Sequence, residues 1–213
     1  MVLDRRHFIC FALSAAAAAG ASTAWATPQP TVLVVGDSLS AEYGIARGTG
    51  WVALLEERLA AQKISAKVVN ASISGDTTSG GRARLPALLK QHQPTIVVIE
   101  LGGNDALRGL PLTMTEANLT AMTQAAQAAG AKVLLAGIQM PPNYGADYSK
   151  RFSNVYASVA RANKAALVPF LLKGVADGPK AAELFQSDRI HPTAQAHPII
   201  LGTMWPELRK LLP

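Results

Sequence analysis

The chain has 213 residues, of which 49% are hydrophobic and 16% are charged, and its formal net charge is +6. This length suits one domain with a sizeable core, and the composition excludes a disordered chain as well as collagen or coiled-coil regularity. The basic residues are spread along the chain without interleaved aromatic residues, so they predict a solvated surface and no nucleic-acid partner.

The first 26 residues have the pattern of an export signal. Arg5 and Arg6 give a basic start, an apolar stretch runs over residues 8–19, and Ala-Trp-Ala at 24–26 fits the small-x-small rule for cleavage. The paired arginines suit the twin-arginine route, although general secretion would accept the same stretch. We therefore expect a signal peptide at 1–26 and an exported, periplasmic or secreted domain at 27–213, with no membrane anchor after cleavage.

After the signal, apolar β-branched runs alternate with stretches that have apolar residues at helical spacing. The runs are continuously apolar, without alternation, which predicts strands buried on both faces. The predicted strands are Thr31–Val35, Ala66–Ile73, Thr95–Leu101, Lys132–Ile138 and Ala166–Leu171. The predicted helices are Trp51–Lys63, Gly81–His92, Thr115–Ala129, Asp147–Lys164 and a last one from about Ala194 to Leu212, in which Pro206 could introduce a kink.

A strand followed by a helix, repeated five times, predicts a doubly wound α/β fold. The sheet should be five-stranded and parallel, with right-handed crossovers and helices on both faces, which makes a three-layer α/β/α sandwich of flavodoxin-like type. Ligands bind such sheets outside the carboxyl ends of the strands. The candidate site therefore lies in the residues that directly follow each predicted strand.

Ser38 follows the first predicted strand in the turn Gly-Asp-Ser-Leu-Ser, where its hydroxyl should stand at the edge of the sheet. A serine hydroxyl needs an imidazole to take its proton and a carboxylate to hold that imidazole in the right tautomer. His191 comes three residues after Asp188, so one short loop would supply both groups. Ser38 alone would be equally typical of a turn or a helix cap, and the Gly-x-Ser-x-Gly pattern is missing. Together the three residues indicate a catalytic triad.

Two further residues at strand ends are candidates for stabilising an oxyanion. Gly75 follows the second predicted strand and can offer its backbone N–H where a side chain would obstruct substrate. Asn104 follows the third and can offer its side-chain amide. Each alone would be a common turn glycine or loop-capping amide. Their placement beside Ser38 favours an oxyanion hole.

Neither a metal nor a cofactor is expected. Cys10 is the single cysteine and falls within the signal, so the mature chain would carry no thiol. Its three histidines are His92, His191 and His197, and they lack the spacing of a metal site. His92 and His197 are interpreted as structural because they lie in predicted helices. The first strand-end loop has no glycine-rich phosphate cradle.

Four short motifs carry a family resemblance. Gly-Asp-Ser-Leu-Ser at 36–40, Ser-Gly-Asp-Thr at 74–77, Gly-Gly-Asn-Asp at 102–105 and Asp-x-x-His-Pro at 188–192 resemble the blocks of the SGNH (GDSL) hydrolase superfamily. Within it, the chain is similar to the bacterial group of acyl-CoA thioesterase I, lysophospholipase L1 and arylesterase.

The resemblance covers the mature chain and implies a serine hydrolase that acts on ester bonds through an acyl-enzyme. It implies that Asp188 and His191 complete a triad with Ser38. The N–H groups of Ser38 and Gly75 and the amide of Asn104 would form the oxyanion hole. One departure is Arg189, which stands where a glycine is common in the family. We expect its side chain to point outward and to add positive charge near the mouth of the site.

Residues after the third and fourth predicted strands could line a groove for the acyl group. These candidates are Leu107, Met140, Pro141, Asn143 and Tyr144. Their moderate apolarity favours small-molecule esters with short or medium acyl chains or aryl groups, hydrolysed by a monomer. Thioesters and lysophospholipids are alternatives, because apolar pockets discriminate weakly per methylene. A carbohydrate O-deacetylase of the same fold and a flavodoxin-like ligand-binding module are the remaining alternatives.

Overall fold

The computed structural model describes residues 29–213. The predicted signal at 1–26 lies outside the described residues, so that boundary stays a prediction. None of the helices within 29–213 combines the length and the apolarity that crossing a bilayer requires.

Five parallel strands form one sheet in the order β2-β1-β3-β4-β5, which confirms the predicted fold class. The central strands are almost completely buried because they have neighbours on both sides and helices on both faces. The edge strands β2 and β5 are partly exposed, so the prediction that all five are buried was wrong for these two. The strands are β1 (Thr31–Gly36), β2 (Lys67–Asn70), β3 (Ile96–Glu100), β4 (Lys132–Ala136) and β5 (Ala166–Val168).

The helices predicted from periodicity are all present, with ends that differ by a few residues. Two short helices, at Gly103–Leu107 and Ala181–Leu184, were not predicted because about one turn is too short to show a helical period. The last helix is preceded by a 3₁₀ turn at Ala194–Ala196 and continues through Pro206. The helices are α1 (Trp51–Ala61), α2 (Thr78–His92), α3 (Gly103–Leu107), α4 (Leu112–Ala128), α5 (Ala146–Asn163), α6 (Ala181–Leu184) and α7 (His197–Leu211).

The helices form two layers around the sheet. Helices α1 and α7 pack together on one side, and α2, α4 and α5 pack in that order on the other. The largest fully buried side chains are Trp51, Phe152 and Tyr156. Burial of one such side chain contributes about 1.5–3 kcal/mol relative to exposure. The hydroxyl of Tyr156 donates to the carbonyl of Leu101 at 2.9 Å, so this aromatic ring also fixes the end of β3.

The topology brings three strand ends together. The chain proceeds from β1 to β2 on one side of the sheet and then returns to β3 on the other side of β1. In the register of the sheet, Gly36 at the end of β1 lies opposite Glu100 at the end of β3. The segments that carry Ser38, Gly75 and Asn104 therefore leave the sheet side by side at the point where strand order reverses, which is where such folds bind ligands.

Candidate active site

Hydrogen bonds between Asp37, which precedes Ser38, and the residues that follow Ser38 close the turn after β1. The carbonyl of Asp37 accepts from the N–H groups of Ser40 and Ala41 at 3.2 and 3.0 Å. The carboxylate of Asp37 accepts from the N–H of Leu39 at 3.0 Å. The side chain of Leu39 is buried while Ser38 is half-buried. These contacts hold Ser38 in a tight turn outside any helix.

Ser38, His191 and Asp188 form a continuous hydrogen-bonded chain. The Nε2 atom of His191 lies 2.9 Å from the Oγ of Ser38, and its Nδ1 lies 2.6 Å from an oxygen of Asp188. The backbone N–H of His191, its ring, and the N–H of Ile190 lower the pKa of Asp188 to about 2. An ionised carboxylate can only accept, so Nδ1 carries the imidazole proton and the free electron pair of Nε2 faces Ser38. This geometry allows proton removal from Ser38.

Gln186 and Tyr43 join the histidine loop to the nucleophile turn. The side-chain amide of Gln186 donates to the carbonyls of Tyr43 and Pro192 at 2.9 and 3.0 Å. The Tyr43 ring lies against the His191 ring, with centroids 4.2 Å apart. Sequence reasoning missed both residues. The only signal was an aromatic residue five positions after Ser38, and nothing in the sequence pointed to Gln186.

Arg189 occupies the left-handed region, with φ of 58°. A residue with a Cβ is uncommon in this conformation, which explains why a glycine would suit the position. Its N–H donates to the carbonyl of Gln186 at 2.9 Å, which closes the turn. Arg189 is exposed, as expected, and the hydrogen bonds between Asp188, His191 and Ser38 are intact beside it.

Two backbone N–H groups, in the segments that follow β1 and β2, have no hydrogen-bond acceptor in the described part of the chain. They belong to Ser38 and Gly75. Gly75 adopts φ of 78°, a conformation that glycine accepts at little cost. Free N–H groups at the end of a parallel sheet are what an oxyanion requires.

Asn104 lies between these two segments but its amide is already engaged. The Nδ2 atom of Asn104 donates to the carboxylate of Asp37 at 3.0 Å and to the carbonyl of Asp76 at 2.9 Å. It thereby connects the Ser38 turn to the Gly75 loop. To donate to a substrate oxygen as well, Asn104 would have to share one of its two amide hydrogens between that oxygen and its present acceptor.

Two buried carboxyl groups lie beneath the nucleophile turn. One oxygen of Glu100 accepts from the N–H of Asp37 at 3.2 Å and from the hydroxyl of Ser40 at 2.8 Å. Burial raises the pKa of Asp37 to about 6. Burial and the neighbouring charge of Asp37 raise the pKa of Glu100 well above its usual range. Two adjacent buried negative charges repel each other, which favours a proton on this pair of carboxyl groups.

The titration of Asp37 predicts a pH dependence of stability. The pKa of an aspartate in the unfolded chain is 3.8, and that of Asp37 in the fold is about 6, so the folded protein keeps a proton that the unfolded chain has already lost. This stabilisation is present below about pH 4 and is lost as the pH rises to about 6, a change of about 3 kcal/mol. We expect urea unfolding between pH 4 and 7 to show that the unfolding free energy of the wild type falls relative to that of Asp37→Asn as the pH rises. A constant difference would contradict the prediction.

The residues predicted to line an acyl groove are not equally accessible. Leu107 at the end of α3 is 43% exposed and Tyr144 is 38% exposed, and Pro141 and Asn143 are exposed as well. Met140 is only 7% exposed and belongs to the hydrophobic core, so little of its side chain is available to a ligand.

Two other residues clarify the sequence interpretation. The Nδ1 atom of His197 accepts from the N–H of Trp51 at 3.0 Å, and burial lowers the pKa of His197, which fits a structural role as the acceptor at the start of α1. Arg84 is one of the basic residues that are predicted to lie on a solvated surface, and for this residue the prediction was wrong. Its side chain is 20% exposed and pairs with the carboxylate of Asp76 at 2.8 Å. Within residues 29–213, no cluster of three metal-binding side chains occurs.

Comparison with known proteins gives consistent matches. Residues 34–199 match the GDSL-like Lipase/Acylhydrolase family. Esterase TesA of Pseudomonas aeruginosa is 55% identical over 182 residues, which span 85% of this chain and 89% of that protein. Thioesterase 1/protease 1/lysophospholipase L1 of Escherichia coli strain K12 is 44% identical over 182 residues, 85% of each chain. A crystal structure of TesA matches with a TM-score of 0.82 at 55% identity, and covers 85% of this chain and 99% of that one.

These matches extend over most of the chain, and the family match at residues 34–199 includes all four motifs. They confirm the family resemblance that the motifs indicated. They also confirm the predicted class of enzyme, a hydrolase that acts on ester bonds. The chain belongs to the GDSL-like lipase/acylhydrolase family.

Proposed function

We propose that this protein is an exported serine esterase in which Ser38 is the nucleophile. The observation that carries the proposal is the hydrogen-bonded chain from Ser38 to His191 and Asp188, at 2.9 and 2.6 Å, together with two free backbone N–H groups. His191 acts as the base, and Asp188 fixes its tautomer and stabilises the imidazolium. The location rests on the signal pattern of residues 1–26.

The reaction proceeds through two acyl transfers. His191 takes the proton of Ser38 while Oγ attacks the ester carbonyl, and the N–H groups of Ser38 and Gly75 stabilise the oxyanion together with Asn104. The tetrahedral intermediate collapses with loss of the alcohol, which receives the proton from His191. Water then repeats the sequence on the acyl-enzyme, releases the carboxylic acid and restores the Ser38 hydroxyl.

The exposed residues near the site favour short and medium acyl or aryl esters. Leu107 and Tyr144 offer apolar surface, while Met140 is largely in the core, so the lining is open and of moderate apolarity. Thioesterase or lysophospholipase activity is the second candidate, because the Escherichia coli relative at 44% identity bears both names. A flavodoxin-like binding module would leave the hydrogen-bonded chain from Ser38 to Asp188 without a role.

A substrate series on the protein comprising residues 27–213 tests this proposal. The substrates are p-nitrophenyl esters of increasing acyl length, an acyl-CoA and a lysophospholipid. We expect the highest kcat/KM on short or medium esters and a decline on longer ones, with each further methylene costing at most about 10- to 200-fold. A preparation that hydrolyses none of these esters would contradict the esterase function. A higher kcat/KM on acyl-CoA or lysophospholipid would favour the second candidate.

A further inference from the structure

Arg84, on helix α2, donates hydrogen bonds to three residues in two segments that converge on the candidate site. Its Nε donates to the carboxylate of Asp76 at 2.8 Å, and its Nη2 donates to the carbonyl of Gly36 at 3.3 Å. Its Nη1 donates to the carbonyl of Ala71. The side chains of Arg84 and Asp76 are 20% and 12% exposed. Every guanidinium nitrogen therefore has a partner, which offsets the cost of partial burial.

The partners of Arg84 belong to the two segments that supply the reacting groups. Gly36 is the last residue of β1 and stands two positions before Ser38. Ala71 directly follows β2, and Asp76 directly follows Gly75. One planar side chain thus spans the strand end that carries the nucleophile and both ends of the loop that carries the Gly75 N–H.

We infer that Arg84 is a positioning residue that fixes the Gly75 N–H relative to Ser38. The inference rests on the proposed function, because this distance matters only if Ser38 is the nucleophile and Gly75 donates to the oxyanion. Backbone hydrogen bonds hold the start of the Gly75 loop to β1: the N–H groups of Ala71 and Ile73 donate to the carbonyls of Val34 and Gly36 at 2.9 and 3.0 Å. The Gly75–Asp76 end is held by the N–H of Asp76, which donates to the carbonyl of Ile73 at 3.1 Å, and by side chains. Arg108 donates to the carbonyl of Gly75 at 2.8 Å from an exposed position, and Asn104 donates to that of Asp76.

Displacement of this loop should affect the transition state more than substrate binding. An oxyanion donor acts on charge that develops during the reaction, so its misplacement lowers kcat and has little effect on KM. Lysine cannot replace Arg84, because its ammonium is a point donor without the fork that reaches separate acceptors. Since Asp76 also accepts from Asn104, a shift of the loop would disturb that amide as well.

Kinetics of Arg84→Gln and Arg84→Lys on a short-chain p-nitrophenyl ester test the inference. The matched control is Arg82→Gln: Arg82 is exposed on the same helix, and its guanidinium donates to Asn118 on α4 and to no residue of the Gly75 loop. A fluorophosphonate that labels Ser38 counts competent sites, so that kcat is expressed per labelled site. We expect Arg84→Gln to lower this kcat by about 10- to 100-fold while KM changes by less than about threefold. Arg84→Lys should lose several-fold, and Arg82→Gln should match the wild type.

A purely structural role would give a different result. It would lower the midpoint of unfolding and the number of labelled sites but leave kcat per labelled site unchanged, and this outcome would overturn the inference. If Arg84→Gln does not fold, Arg84→Lys decides by the same criterion. Failure of the proposed function is distinct, because the wild type itself would then not be labelled at Ser38.

Discussion

Replacement of Ser38 by alanine is expected to lower kcat by about 10³-fold or more. The Oγ of Ser38 is the atom that lies 2.9 Å from the Nε2 of His191, and no acyl-enzyme can form without it. Initial rates on a short-chain p-nitrophenyl ester measure the loss. A fluorophosphonate should label one site per chain in the wild type and none in Ser38→Ala, which shows that the loss is that of the nucleophile.

The same experiment includes matched controls. Ser65→Ala removes an exposed hydroxyl just before the start of β2, at the opposite end of this strand from the Gly75 loop, and should leave kcat unchanged. His191→Ala should lose about as much as Ser38→Ala, and the double variant should lose little more, because triad residues act as a unit. His92→Ala, at the end of α2, should be near the wild type. Turnover of Ser38→Ala at the wild-type rate would refute the assignment of the nucleophile.

Replacement of Asn104 by alanine is expected to lower kcat by about 10²-fold, with a smaller change in KM. Two losses combine in this variant. The amide no longer supports the oxyanion, and the contacts of Asn104 with Asp37 and Asp76, at 3.0 and 2.9 Å, no longer connect the nucleophile turn to the Gly75 loop. Steady-state kinetics per fluorophosphonate-labelled site separate this effect from loss of folded protein.

Asn70→Ala is the matched control for Asn104. The amide of Asn70 also supports the nucleophile turn, through a 2.8 Å hydrogen bond to the carbonyl of Ser40, but this residue belongs to no part of the predicted oxyanion hole. We expect its kcat to fall much less than that of Asn104→Ala. Equal losses in the two variants would mean that Asn104 acts only by supporting the turn.

The architecture could be predicted because the spacing of apolar residues distinguishes helices from strands. Strands β1, β3 and β4 are apolar apart from one terminal residue each, Thr31, Glu100 and Lys132. Helices α1, α2, α4, α5 and α7 repeat apolar residues at helical spacing. The burial of each strand was harder to predict. Strand β2 is as apolar in its middle as a central strand, and only its place at the edge of the sheet leaves it partly exposed.

The candidate reacting groups could also be proposed from the sequence, because each lies in a short motif and three of these motifs follow a strand. Ser38, Gly75 and Asn104 follow β1, β2 and β3, and Asp188 and His191 share one loop, so local sequence indicates both their chemistry and their approximate place. The lining was less predictable. The position of Met140 after β4 does not show that its side chain turns into the core.

The sequence alone therefore determined the fold class, the family and the candidate reacting groups, since these depend on local composition and on the order of strands. Only the tertiary structure decided which residues hold those groups in place. Gln186 meets Tyr43, Glu100 lies beneath the turn of Ser38, and Arg84 joins Gly36 to Asp76. These contacts connect residues far apart in the chain, and they exist only because the register of the sheet and the packing of α2 bring specific carbonyls and carboxylates within hydrogen-bond distance.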